Sequence, residues 1–126
     1  MRKELLASLF SVVVLCATAS AQVTLRRGAV VYHGSSANTT APATIKEKRV
    51  RAATPEWKKI EDLGIDPTSA RGKQLITKMN KRIRAAVKAV ADSEGRDMVT
   101  RKKDLKDDRG REVVDLTDLV IAELES

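Results

Sequence analysis

The sequence predicts an α+β fold, mainly helical, in which a small β body carries a helical hairpin arm and is closed by a C-terminal helix. Three observations predict it. A long, well-punctuated helical stretch fills residues 66–95, with Asp66 as cap, Pro67 at the first helical position and Gly95 as a left-handed stop. A shorter helix is signalled from Thr54-Pro55 to Gly64, and the link from Gly64 to Pro67 is so short that the two must fold back as an antiparallel hairpin. Beyond Gly95 the apolar period turns strand-like, then helical again from Asp115.

The chain begins with a segment that reads as a targeting signal. Arg2 and Lys3 precede an apolar run over 5–17, and Ala19-Ser20-Ala21 is a small-residue cleavage site. Residues 1–21 are therefore expected to be a signal peptide cleaved before Gln22, with an uncleaved anchor as the alternative. Cys16 and Phe10 leave with it, so the remaining fold is held without disulfides and with only Tyr32 and Trp57 as aromatics. A chain so poor in large apolar groups builds a thin core, which argues for burial between subunits. The balance of 24 Lys and Arg against 17 Asp and Glu, a formal charge of +7, favours anionic partners.

Residues 22–43 read as an N-terminal strand, centred weakly on 29–32, followed by a flexible linker, because 33–43 is small and polar without periodicity. Asn38-Thr39-Thr40 matches a glycosylation sequon, a triplet common by chance. Residues 44–53 are ambiguous. Thr44 and Glu47 fit a capping box that starts a helix, and equally Ala43 to Ile45 fits the end of a short strand. Together 44–95 are assigned to the hairpin arm.

In the first helix of that arm Trp57, Ile60 and Leu63 share one side, with Trp57 as an anchor between the two helices. In the second, Ile76, Met79, Ile83, Ala86 and Val90 follow spacings of 3, 4, 3 and 4, a narrow heptad-like seam suited to one partner helix. Arg71, Lys73, Lys78, Lys81, Arg82, Arg84 and Lys88 occupy the rest of its surface, and no acidic residue lies between Pro67 and Ala91. An idle surface helix usually mixes signs in i,i+4 pairs, so these cations are the candidate contacts for an anionic partner or client.

Residues 96–126 read as a β-hairpin plus a terminal helix. Val99 centres one strand, 106–111 forms a turn around Gly110, and 112–115 returns. Asp115-Leu116-Thr117-Asp118 caps the last helix, on which Leu116, Val120 and Leu124 lie four apart with Leu119 beside them. Catalytic chemistry finds few candidates. His33 stands alone, Asp107 and Asp108 are turn formers, and Ser69-Ala70-Arg71-Gly72-Lys73-Gln74 lacks the spacing of a phosphate loop. No enzyme, metal or cofactor is expected.

The segment from Ile83 to Val99, IRAAVKAVADSEGRDMV, together with DLTDLVIAEL from Asp115 to Leu124, resembles the C-terminal part of the Skp/OmpH family of periplasmic chaperones. More weakly, Val50-Arg51-Ala52-Ala53-Thr54-Pro55 resembles the start of that family's outgoing arm. The resemblance implies an OmpH-like trimer in which strands and terminal helices form a body and helical hairpins extend as arms around a cavity. It implies an ATP-independent holdase in the periplasm that binds unfolded outer-membrane proteins and meets lipopolysaccharide or anionic membrane surfaces. The charge would permit a nucleic-acid partner, but the export signal and the presence of only two aromatics for base stacking argue against one. Val99, Val113, Leu116, Val120 and Leu124 would belong to the body and oligomer core. The alternative is a non-chaperone envelope protein that binds anionic lipid or lipopolysaccharide through the basic helix. Two departures stand against the family pattern: the short outgoing helix at 54–63, and the stretch 22–42 before the first family strand.

Overall fold

The computed structural model describes residues 23–37 and 39–126, so the signal-peptide assignment and Asn38 lie outside the described residues. The fold mixes α and β, about 50% helix and 18% strand. In chain order the elements are β1 (Thr24–Leu25), β2 (Val31–Gly34), β3 (Pro42–Ile45), α1 (Glu47–Ala52), α2 (Pro55–Leu63) and α3 (Ala70–Glu94). Then come β4 (Met98–Arg101), a 3-10 turn (Lys102–Asp104), β5 (Leu105–Asp107), β6 (Val114–Asp115) and α4 (Thr117–Glu125).

The main sheet has the order β2-β4-β3-β6, and β1 pairs separately with β5. β4 runs antiparallel to β2 and parallel to β3, with Ala43 opposite Val99; β3 in turn runs parallel to β6, with Ala43 opposite Val114. The expected β-hairpin at 96–126 is therefore corrected. A strand has two edges, and those of β4 are taken by β2 and β3, so the returning segment pairs on the far side of β3. Arg96 ties that arrangement together, its Nη2 donating to the Pro42 carbonyl at 2.8 Å and the Glu112 carbonyl at 2.9 Å.

The linker assignment for 33–43 is also corrected. β2 runs through His33 to Gly34, and β3, buried at all four positions, begins at Pro42. Between them the loop is pinned by Asp97. Its carboxylate accepts the Thr40 N–H at 2.7 Å, the Thr40 hydroxyl at 2.8 Å and the Ala41 N–H at 3.0 Å, while its own N–H donates to the Ala41 carbonyl at 3.1 Å. Of the two readings of 44–53, the strand ending at Ile45 is the one formed. A helix follows it from Glu47, but with no side-chain cap from Thr44.

Thr54 starts α2 as expected, its Oγ1 accepting the Trp57 N–H at 3.3 Å with Pro55 in the first turn. Gly64 and Gly95 end α2 and α3 at φ of 60° and 68°, where a side chain would be strained. The start of α3 is corrected: Asp66 and Pro67 lie in a turn, and Ser69 is the cap, accepting the Gly72 N–H at 3.0 Å. Asp66 instead holds the turn, accepting the N–H of Thr68 at 2.9 Å. α4 begins where the sequence placed it. Asp115 accepts the Thr117 N–H at 2.9 Å and its hydroxyl, and that hydroxyl oxygen accepts the Lys46 N–H at 2.8 Å.

Met79, Ile83, Ala86 and Val90 are buried, and Ile76 packs against the same core. The face is broader than the narrow seam expected, because Val87 and Ala91 are fully buried too. They pack in one core with Tyr32, Ile45, Val50, Val99, Leu116 and Val120. The seam is thus covered within the chain, by α2 and α4 as well as by the sheet. Leu63 is corrected as well: it is 59% exposed at the tip of the hairpin.

Gly72 is buried where α3 crosses the turn before it. A Cβ there would lie 2.1 Å from the Asp66 carbonyl oxygen and 2.8 Å from Pro67 Cα, both backbone. Gly to Ala inside a helix ordinarily stabilises by roughly 1 kcal/mol. Here Gly72→Ala is expected to destabilise, by about 1–3 kcal/mol, seen as a fall in urea midpoint; an unchanged or raised midpoint would contradict the close approach.

Burial resists ionisation of the Asp97, Asp104 and Asp115 carboxyls, yet each is held below the usual carboxylate range. Hydrogen bonds outweigh burial: from Thr40 and Ala41 to Asp97, from Arg101 and Val30 to Asp104, and from Thr117 to Asp115. The unfolded chain then takes up protons before the folded one does. The stability these groups lend is complete above about pH 4 and is lost as pH falls through their lower native values. Thermal melts across the acid range should show this decline, and Asp97→Asn should make it shallower.

Candidate functional site

α3 has 25 residues, about 37 Å at 1.5 Å each, against about 13 Å for a four-residue strand. Its outer half therefore extends past the sheet with α2 alongside. The cations expected to act together on it divide into two groups.

The inner group serves the fold. Arg82 donates to Glu56 on α2 at 2.9 and 3.0 Å, closing the hairpin. Arg84 donates to the Val31 carbonyl at 3.0 Å and lies over the Tyr32 ring, 5.2 Å from its centroid. Lys88 pairs with Asp92 one turn on, at 3.0 Å. The absence of acids on this face of the sequence is thus partly made good from other elements and from Asp92. The outer group, Arg71, Lys73, Lys78 and Lys81, is exposed and makes no ion pair among the described residues. Exposed Leu63 at the end of α2 and half-buried Leu75 and Ile76 accompany it. This gives the hairpin tip both apolar and cationic character.

Of the residues assigned to the body, Val99, Leu116 and Val120 are fully buried and Leu124 packs against them. Val113 is corrected: it is half-buried outside the core, and Val114, one residue later on β6, packs inward instead. Leu119 is 45% exposed and sits with Ala89, Val90 and Ala122 along an open groove of about 280 Å³ between α3 and α4.

Trp57 is half-buried and packs against the core. Its Nε1 donates to Glu61 at 2.6 Å, and Arg51 of α1 lies over its ring. His33 acquires a neighbour the sequence did not suggest, Asp92, with Nε2 3.8 Å from its carboxylate. Asp107 and Asp108 accept N–H bonds within their own turn. Among the described residues no three His, Cys, Asp or Glu gather as metal ligands.

A second cationic region was missed in the sequence. Lys46 and Lys48, after β3, meet Lys102 and Lys103, after β4, around a cleft of about 440 Å³. The signal available was a lysine pair directly following each strand, but nothing local says that the two strands are neighbours. Comparison with known proteins assigns no family: no family model, curated protein or solved structure matches the chain.

Hydrogen bonding from Arg82 is the main cause that holds the Glu56 carboxyl below its usual range, against the opposing effect of burial. Arg82→Gln is expected to raise the Glu56 pKa and to lower the melting midpoint more at neutral pH than in acid, since the stability lent by a depressed carboxyl is lost as pH falls through its native value. An NMR titration of the Glu56 side chain with matched thermal melts checks both.

Proposed function

We propose that this protein is an ATP-independent holdase of the Skp/OmpH type, acting in the periplasm on unfolded outer-membrane proteins. The observation that carries the reading is the hairpin tip, where exposed Leu63 lies on an arm whose outer half bears four exposed cations that make no direct ion pair among the described residues. Such a surface offers weak apolar contact to an unfolded chain and electrostatic attraction to its acidic segments. Several weak contacts suit a binder that must release without nucleotide. The route of the chain supports the same reading: it leaves β3, traverses α1 to α3 and returns on β4 in parallel, so the arm is rooted in the sheet at both ends.

In this reading the functional unit is a trimer, with body strands and terminal helices together and arms projecting. The groove along Leu119, Ala89 and Ala122, edged by Glu94 and Glu123, is a mixed apolar and acidic surface that a second copy would cover. The short α2 makes the enclosed space small. No catalytic step, metal or cofactor enters the mechanism. A second reading, an envelope protein that binds anionic lipid or lipopolysaccharide without holding clients, is favoured by the same four cations.

The two readings separate experimentally. Under the first, the protein in excess suppresses light scattering by an outer-membrane barrel protein diluted from urea, and Leu63→Ser weakens the suppression. Under the second, scattering is unchanged, while binding to anionic vesicles falls roughly tenfold or more with Lys73→Glu/Lys78→Glu and weakens with salt. Absence of suppression at every excess tried would remove the chaperone reading.

A further inference from the structure

The 440 Å³ cleft lies outside the carboxyl ends of two adjacent parallel strands, β3 and β4. In open sheets with helical crossovers this crevice is where ligands commonly bind, because the chain diverges there and leaves backbone and side chains facing a gap. Here β3 exits through Lys46, Glu47 and Lys48 into α1, and β4 exits through Lys102 and Lys103 into the 3-10 turn. Buried Ile45 closes the floor, and Arg51 and Arg101 complete the lining.

The charges in the cleft are not balanced from within. Arg101 is committed to Asp104, at 2.5 and 3.2 Å, and Lys46 lies 3.9 Å from Asp115. Glu47 is the single acid in the lining, and it is already used: its Oε2 accepts the Tyr32 hydroxyl at 2.6 Å and its Oε1 accepts from Arg51 at 2.9 Å. Burial pushes the Tyr32 phenol up, and its bond to Glu47 adds to that, so the hydroxyl stays a neutral donor and Glu47 stays engaged. Lys48, Lys102 and Lys103 are exposed and make no ion pair among the described residues. Three ammonium groups thus approach one cleft from both strand exits without a direct ion pair, and only longer-range attraction, of Lys102 to Asp115 and of Lys103 to Asp104, offsets their charge. Their mutual repulsion is relieved by a ligand carrying several negative charges on compact oxygens.

We propose that this cleft is a binding site for a multiply charged phosphate group, such as an oligophosphate or a phosphorylated lipid headgroup. Lys48, Lys102 and Lys103 supply the contacts. Lysines fit this chemistry because a tetrahedral phosphate accepts from several directions and a flexible ammonium can approach along any of them. A single carboxylate presents one plane and one charge. The site is separate from the cations of the hairpin tip, so it stands or falls independently of the proposed holdase activity.

The test measures binding of inorganic tripolyphosphate by calorimetry at physiological ionic strength. It compares Lys48→Ala/Lys102→Ala/Lys103→Ala with Lys73→Ala/Lys78→Ala/Lys81→Ala, which removes the same charge from the hairpin. Saturable binding is expected, weakened roughly tenfold or more by the cleft variant and less than about twofold by the hairpin variant. Thermal melts verify that both variants, altered only at exposed lysines, remain folded. Vesicles containing phosphatidic acid, a phosphomonoester lipid, run alongside identify the source: vesicle binding that depends on the cleft lysines assigns a lipid headgroup, and tripolyphosphate binding without it assigns a free phosphate compound. Equal weakening by the two variants, or no saturable binding of tripolyphosphate by the unaltered protein, would overturn the assignment.

Discussion

Strand β3 is four residues long and buried at every position, so both its edges and both its faces must be covered by the rest of the chain. Its edges are met by β4 and β6, each parallel to it. Parallel neighbours cannot be joined by a tight turn; they require a crossover. The crossover from β3 to β4 is the whole α1–α2–α3 segment, and the one from β4 to β6 holds β5 and the turn at Gly110. The helical arm is in this sense a consequence of the sheet. Removing the pairing at Ala43 and Thr44 would leave α3 and α4 without the surface against which Val87, Ala91, Leu116 and Val120 are buried.

The same arrangement explains how a strongly basic helix is tolerated. Glu56, Asp92, the Val31 carbonyl and the Tyr32 ring each answer one of the inner cations of α3. Glu56 comes from α2, the Val31 carbonyl and the Tyr32 ring from β2, and Asp92 from α3 itself, one turn beyond Lys88. Farther out the body ends, and Arg71, Lys73, Lys78 and Lys81 face solvent. A basic surface of this kind attracts anions at long range but holds each one weakly, since salt and water screen it.

At the opposite kind of location, where strands β3 and β4 end side by side, charge is concentrated by concavity. The lysines around that cleft share one half-open concavity, while those on the hairpin are spread along a more open helix surface. Field lines converge in the first case and disperse in the second. Two cationic regions of similar composition are thus physically different, one shaped for a compact ligand and the other for an extended partner.

Capping and periodicity were legible in the sequence because they are local. Thr54-Pro55, Gly64 and Gly95 bound their helices through bonds within a few residues, and Asp115-Leu116-Thr117 does the same for α4. Buried Met79, Ile83, Ala86, Val90, Val99, Leu116 and Val120 could be read from spacing alone. The cap of α3 was misplaced because Asp66 and Ser69 both offer a side-chain oxygen, and only the turn geometry selects Ser69. In the sequence Ala43 to Ile45 fits a strand end and Thr44 a helix start equally well, with Pro42 in the linker, because these residues carry no alternation; β3 is buried on both faces, so none is needed. What the tertiary structure alone decided is adjacency. That β3 lies between β4 and β6, that Arg82 finds Glu56, and that lysines far apart in the chain share one cleft all depend on contacts between distant residues. No local preference encodes such contacts, because their stabilisation exists only once the whole chain has closed around β3.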